Sequence, residues 1–312
     1  MAPEETATTA AYLEHLTDRD LAPLATPLFE GERLEGPRVR EVRGSLLSRR
    51  GGIEDLFARP EVLEVVFARE RGDPLLVGVS PFLVFAVAVH RAVRDLRTTT
   101  YVPDWARSGR GTPVFDVVRL REFAASPWSR FFLAELLASY TRVASGSVVV
   151  PTPRGLRRQR YSELDAVRMA GLLDVVPEAE RPGVLRRLGD LALFLTGVFP
   201  DYLARRGFGP LEEGRLLRAG LAPGAVPSHP AEPPGHEEPG RSRGENSLAL
   251  LSQLGRRWYR AAWLLVPSPA PANTAVLREL PDHFDDARRL LAFVTERFLF
   301  PSRGRWFGLG AS

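Results

Sequence analysis

The stretch Leu188 to Tyr202, LGDLALFLTGVFPDY, most constrains how this chain can fold. Leu188, Ala192, Leu195 and Phe199 recur at helical spacing, and Leu191, Phe194 and Val198 cover much of the remaining circumference. A helix apolar on most sides must be enclosed by other elements, so the pattern predicts a central buried helix over about residues 182–199. Gly189 and Gly197 inside it each cost about 1 kcal/mol relative to Ala in a helix interior. Their two-turn separation predicts close approach by a neighbouring backbone. Asp190 puts a carboxylate among apolar residues, which is costly unless it is paired. Arg186 one turn back, Arg187 or Arg257 are candidate partners. The competing reading is a functional acid with a raised pKa.

Other helices are marked by caps and periodicity. Ser80-Pro81 is an N-cap followed by Pro at the first helical position, opening PFLVFAVAVHRAVRDL. Pro60 opens PEVLEVVFARER in the same way, and Ser126-Pro127 opens PWSRFFLAELLASYTRVAS. Tyr12, Leu13 and Leu16 share one face of a short helix over about 10–19. Residues 20–50, rich in Pro, Gly and Arg, hold no convincing period and are expected to be irregular. SVVV, PTPRG and LRRQRY read as a β-hairpin near 146–161 with a Pro/Gly turn. Ser162 with Asp165 resembles a capping box for the helix after it. Residues 219–244 shift to Pro, Gly, His, Glu and Ser and read as a disordered loop. A helix over about 245–266 then places Leu251, Leu254, Trp258 and Ala262 inward. Asn273 is expected to cap a last helical region that Pro281 bends or splits.

The expected fold is mainly α, an irregular multi-helix bundle with one short β-hairpin. In chain order it has an irregular segment 1–52, a helical core 53–218 that includes the hairpin, the loop 219–244, and C-terminal helices 245–312 packing on the same core. Residues 1–150 and 151–312 are candidate subdomains sharing that core.

Composition excludes several chemistries. All 42 basic residues are Arg, so Walker-type phosphate loops, the kinase lysine and Schiff-base chemistry are absent. There is no Cys, hence no disulfide, thiolate nucleophile or cysteine metal site. No Gly-x-Ser-x-Gly elbow and no His-Glu-x-x-His occurs, and Gly207-Phe-Gly209 lacks the spacing of a dinucleotide fingerprint. The start has no basic and apolar leader pattern, and the longest apolar run, Leu75 to Val89, is too short to span a membrane. A cytoplasmic chain without a membrane segment or cofactor is the expectation.

Five candidate features remain. His283 with Asp282, Asp285 and Asp286 has metal-like spacing, His283 and Asp286 being the pair that would ligate; acids complementing a helix N-terminus explain the same pattern. His229, His236, Glu237 and Glu238 lie in the Pro-rich loop, which holds no fixed geometry. Arg154, Arg157, Arg158 and Arg160 on the hairpin, with Arg186 and Arg187 nearby in sequence, suit phosphate contacts; a solvated face is the plainer reading. His90, at the edge of an apolar helix, is either a buried, hydrogen-bonded histidine or a catalytic partner for Asp190. Asp190 is the last.

LGDLALFLTGVFPDY, with SPFLVFAVAVHRA, FLAELLASYTRVASGS, LGRRWYRAA and FVTERFLFP, resembles an uncharacterised, mostly helical protein family of high-GC bacteria. The resemblance runs from about residue 53 onward. It implies no known activity and transfers no functional residue.

The preferred expectation is therefore a non-enzymatic interaction or regulatory protein with a protein partner. One alternative is an enzyme or small-ligand binder with an inter-helical site near Asp190, within reach of His90 or Tyr259. The other is nucleic-acid binding through the arginine-rich hairpin. Net charge bears on that last alternative: residues 1–150 carry 19 Arg and 20 acids, residues 151–312 carry 23 and 18. An excess of this size spread over half a chain disfavours nucleic acid.

Overall fold

Proline in the first turn marks many of the helix starts in the computed structural model, which describes residues 3–25, 37–48, 52–68, 78–104, 111–152, 155–220, 242–266, 272–300 and 306–307. Fifteen α-helices lie among these residues, with two small two-stranded antiparallel sheets. The fold is mainly α with a short hairpin, as the periodicity indicates. The chain forms two compact units, one from 1–101, 115–142 and 293–312, the other from 102–114 and 143–292.

The first unit holds α1 (Pro3–His15), α2 (Asp18–Ala25), α3 (Pro37–Ser48), α4 (Glu54–Phe57), α5 (Pro60–Ala68), α6 (Pro81–Leu96), α7 (Val118–Ala125) and α8 (Pro127–Ser139). The Ser80 side chain accepts from the Leu83 amide at 3.2 Å, so the Ser-Pro start of α6 forms as expected. Ser126 takes the N-cap position of α8 but makes no side-chain cap bond. Helix α6 is buried from Phe82 to His90 and packs on α8. Trp306 and Phe307 close over Phe85, with ring centroids at 5.2 and 5.6 Å.

The segment expected to be irregular contains α1, α2 and α3. In α3, Val39, Val42 and Leu46 are buried at three- and four-residue spacing, a stripe diluted by the arginines and Gly44 around it. In α2, the Asp20 carboxylate is wholly buried and accepts from the Thr17 amide and hydroxyl and from the Ser80 amide. Three donors offset its desolvation, and the contact with Ser80, 60 residues away, cannot be read from local pattern.

The second unit holds β1 (Val102–Asp104) paired with β2 (Thr112–Val114), and β3 (Ser145–Thr152) paired with β4 (Gly155–Ser162). Its helices are α9 (Ala166–Ala170), α10 (Arg181–Val198), α11 (Pro200–Arg206), α12 (Pro210–Ala219), α13 (Arg243–Leu264), α14 (Val276–Glu279) and α15, Phe284–Val294, whose last two residues belong to the first unit. Asp165, not Ser162, caps α9, its carboxylate accepting from the amides of Val167 and Arg168 at 3.1 Å. The Ser162 hydroxyl instead accepts from the Leu164 amide at 3.4 Å, ahead of the helix. Ser242 and Glu245 form a capping box at the start of α13. Asn273 lies in a 3-10 turn, and α14 starts without a side-chain cap. The segment around Pro281 separates α14 from α15.

Helix α10 is the buried centre of this unit, enclosed from Leu188 to Val198. It packs along α13, and Gly189 and Gly197 bring it close to α13 and α15 respectively. A methyl group on Gly189 would sit 2.8 Å from the Tyr259 ring, and one on Gly197 would sit 2.9 Å from Leu291 Cβ and 3.1 Å from the Arg288 carbonyl. Gly197 thus meets a neighbouring backbone, whereas Gly189 makes room for a ring. Residues 221–241, most of the Pro-rich stretch, lie outside the described residues, as do His229, His236, Glu237 and Glu238.

Candidate functional site

The two candidate residues Asp190 and His90 belong to different units. Asp190 faces the α13 helix with only 7% of its surface exposed. The Tyr259 hydroxyl donates to its Oδ1 at 2.8 Å, and Arg186 Nε lies 3.9 Å from its Oδ2, one turn back on α10. Arg187 instead reaches Glu163 at 3.2 Å. Tyr259 is fully buried against Gly189 and the Phe284 ring. The carboxylate is therefore held by a hydroxyl and a guanidinium at the edge of the core.

His90 is buried at the centre of the first unit. Its Nε2 is 2.8 Å from the Tyr12 hydroxyl, and Tyr12 packs against Phe57, Phe82 and Phe131 with ring centroids between 5.0 and 5.9 Å. Burial, helped by the Arg130 charge, holds the His90 pKa well below its ordinary value, so the ring is neutral. Burial and the Glu54 charge push the Tyr12 phenol well above its ordinary value, Arg130 opposing them. Both partners are neutral, and their bond satisfies two polar groups that the aromatic cluster would otherwise strand. Glu54 and Arg130 form an ion pair beside them. Burial raises the Glu54 pKa against the opposing pull of Arg130.

The residues around His283 distribute differently from a metal site. His283 Nδ1 lies 3.1 Å from Asp286, Asp285 pairs with Arg256, and Asp282 pairs with Arg260 at 3.3 Å. Asp285 and Asp286 occupy the first turn of α15, where a carboxylate complements the exposed amides. Among the described residues no group of three or more His, Cys, Asp or Glu is placed to hold a metal ion. A larger ion cluster lies nearby: Asp104, 4% exposed, takes Arg288 at 2.8 Å and Arg289 at 3.0 Å. These partners are 184 and 185 residues apart in sequence, and no local signal connects them.

The hairpin behaves as a different kind of surface. Ser147 stands across from Arg160, Val149 from Arg158 and Pro151 from Leu156. The two-residue strand period puts Ser147, Val149, Leu156, Arg158 and Arg160 on one face. On it, Val149 is 59% exposed and Leu156 78%, and both arginines are exposed. Arg158 Nε donates to the Ser147 hydroxyl at 2.6 Å across the strands. Neither Arg158 nor Arg160 pairs with a carboxylate among the described residues. Arg157 occupies a ladder position across from Val150, out of step with these two, and Arg154 lies outside the described residues. The four hairpin arginines are therefore not one row. Their sequence spacing hides this because alternation splits neighbours, and the exposed valine and leucine beside them read in sequence as ordinary strand formers.

The base of the ribbon is anchored. Gly146 lies against the Tyr161 ring, where a methyl group would sit 3.1 Å from it, and Gly171 lies under the Gln159 amide. β4 packs on α9 and on the 3-10 turn at Gly171–Asp174.

No helix among the described residues is long and apolar enough to cross a membrane. No family model, curated protein or solved structure matches the chain.

Proposed function

We propose that this chain is a non-enzymatic interaction protein that meets its partner through the β3–β4 ribbon. The observation that carries the reading is the composite exposed face of Val149, Leu156, Arg158 and Arg160. Apolar side chains exposed next to uncompensated guanidinium groups on a two-stranded ribbon carry a solvation cost that a partner relieves, and Arg with apolar neighbours is the composition of binding surfaces. The buried candidates support a scaffold role instead. Asp190 bonds to Tyr259, and His90 is neutral and bonded to Tyr12.

The test is a complex reconstituted from purified components. Leu156→Asp and Val149→Asp place carboxylates at the centre of the proposed contact, and each is expected to weaken the complex at least tenfold while leaving the helical circular dichroism unchanged. A reconstituted complex indifferent to both substitutions overturns the reading.

A further inference from the structure

The ribbon's bounds change the meaning of the chain's charge. Ser145 to Ser162 contains four Arg and no acid, which leaves 38 Arg and 38 acids in the rest of the chain. The whole net charge of +4 therefore resides on an 18-residue ribbon. An excess spread thinly over half a chain is a weak attractor; the same excess on one ribbon is a local polyanion site. Elsewhere partly or fully buried arginines are matched by carboxylates, as at Arg130–Glu54, Arg187–Glu163 and Arg288–Asp104, while Arg158 and Arg160 have no such partner among the described residues.

Resting on the proposed role of the ribbon, we propose that its partner is double-stranded DNA, contacted through phosphate by Arg158 and Arg160 and at the groove by Val149 and Leu156. Three features favour a duplex. Guanidinium forks suit phosphate, and phosphate contacts supply most of a protein's sequence-independent affinity. A two-stranded β-ribbon fits the B-form major groove, whereas the major groove of A-form RNA is too deep and narrow for it. The exposed face carries no aromatic ring, and Tyr161 packs at the base against Gly146, so the stacking platform that single strands need is absent from the described part of the face. Exposed Val149 and Leu156 supply the apolar surface that reads thymine methyl groups or wedges against base steps.

The experiment is fluorescence anisotropy with the full chain and a labelled 24-bp mixed-sequence duplex over a sodium chloride series, with poly-L-glutamate as a second probe. Two phosphate contacts give a slope of log affinity on log salt near −1.8, which weakens binding about 12-fold between 50 and 200 mM. Arg158→Gln with Arg160→Gln removes both contacts and is expected to flatten the slope to near zero. Arg158→Lys with Arg160→Lys retains the original slope, which separates charge from a misfolded ribbon. Arg205→Gln, an exposed arginine on α11 paired with Asp201, leaves it unchanged. A duplex that does not bind, or binds equally to the Gln variant, overturns the DNA inference. Arginine-dependent binding of poly-L-glutamate without duplex binding overturns it too and leaves the ribbon's role as a contact surface standing. Failure of that wider role is read separately, from the insensitivity of a reconstituted complex to Leu156→Asp.

Discussion

Tyr259→Phe is the sharpest perturbation of the Asp190 site. The substitution removes one oxygen and nothing else from a fully buried ring. It takes the 2.8 Å bond from a carboxylate that is 7% exposed. Arg186 Nε, at 3.9 Å and partly exposed, is too distant to replace it with a hydrogen bond. Loss of a bond to a buried charged acceptor costs about 1.5–3 kcal/mol. For a unit of this size, 2 kcal/mol corresponds to about 4–8 °C in Tm. Asp190→Asn keeps an acceptor for Tyr259 and removes a desolvated charge, so its expected change is within about 1 kcal/mol. Urea denaturation followed by tryptophan emission, run as a double-mutant cycle, measures both changes and their coupling, expected to be about 1 kcal/mol. If Asp190 were instead a functional acid held under strain, relieving it would leave stability unchanged or raise it. Unchanged or higher stability of Tyr259→Phe refutes the structural assignment.

Further outcomes follow from the same contacts. Gly189→Ala gains about 1 kcal/mol of helix propensity but forces a methyl group to 2.8 Å from the Tyr259 ring, so a net loss of about 1–2 kcal/mol is expected in the same denaturation assay. Asp104→Ala leaves buried Arg288 with only Asp285, at 3.6 Å, and is expected to cost about 3 kcal/mol, visible as a lowered Tm. His90 has a folded pKa below its unfolded value of about 6.5, so the unfolded chain takes up the proton first. Its contribution is intact above that value and is lost as pH falls from there towards the folded pKa. His15 and Glu54, whose folded values are raised, act in the opposite direction: each contributes fully below its unfolded pKa and loses that contribution as pH rises through its folded value. Stability curves of wild type and His90→Gln between pH 7.5 and 5 isolate the His90 part, the variant losing less stability on acidification.

Much of the architecture was legible because it rests on short-range rules. The Ser80-Pro81 start, the Pro60 start, the hairpin and the enclosed helix over Arg181–Val198 each follow from caps, turns or periodicity within about 20 residues. The short helix expected over about 10–19 overlaps α1, whereas α2 and α3 escaped because arginine, proline and glycine broke the visible period, although Val39, Val42 and Leu46 still lie on one side. The glycines of α10 announced close packing, but not that one meets a ring and the other a backbone. At the candidate sites the residue types were legible and the partners were not. Tyr12 lies 78 residues from His90, and Arg288 lies 184 from Asp104, so only the folded chain brings them together. Charge differs. Half-chain totals made the arginine excess look diffuse, although the hairpin expected over 146–161 already held the same four arginines and no acid.

Hydrogen–deuterium exchange with and without a saturating 24-bp duplex at low salt tests the ribbon as the contact surface most directly. The account predicts slowed exchange in peptides spanning Ser145–Ser162, and unchanged exchange across Arg181–Val198, where Asp190 is already bonded inside the core. Protection that appears around Asp190 while the ribbon exchanges as freely as before would contradict it.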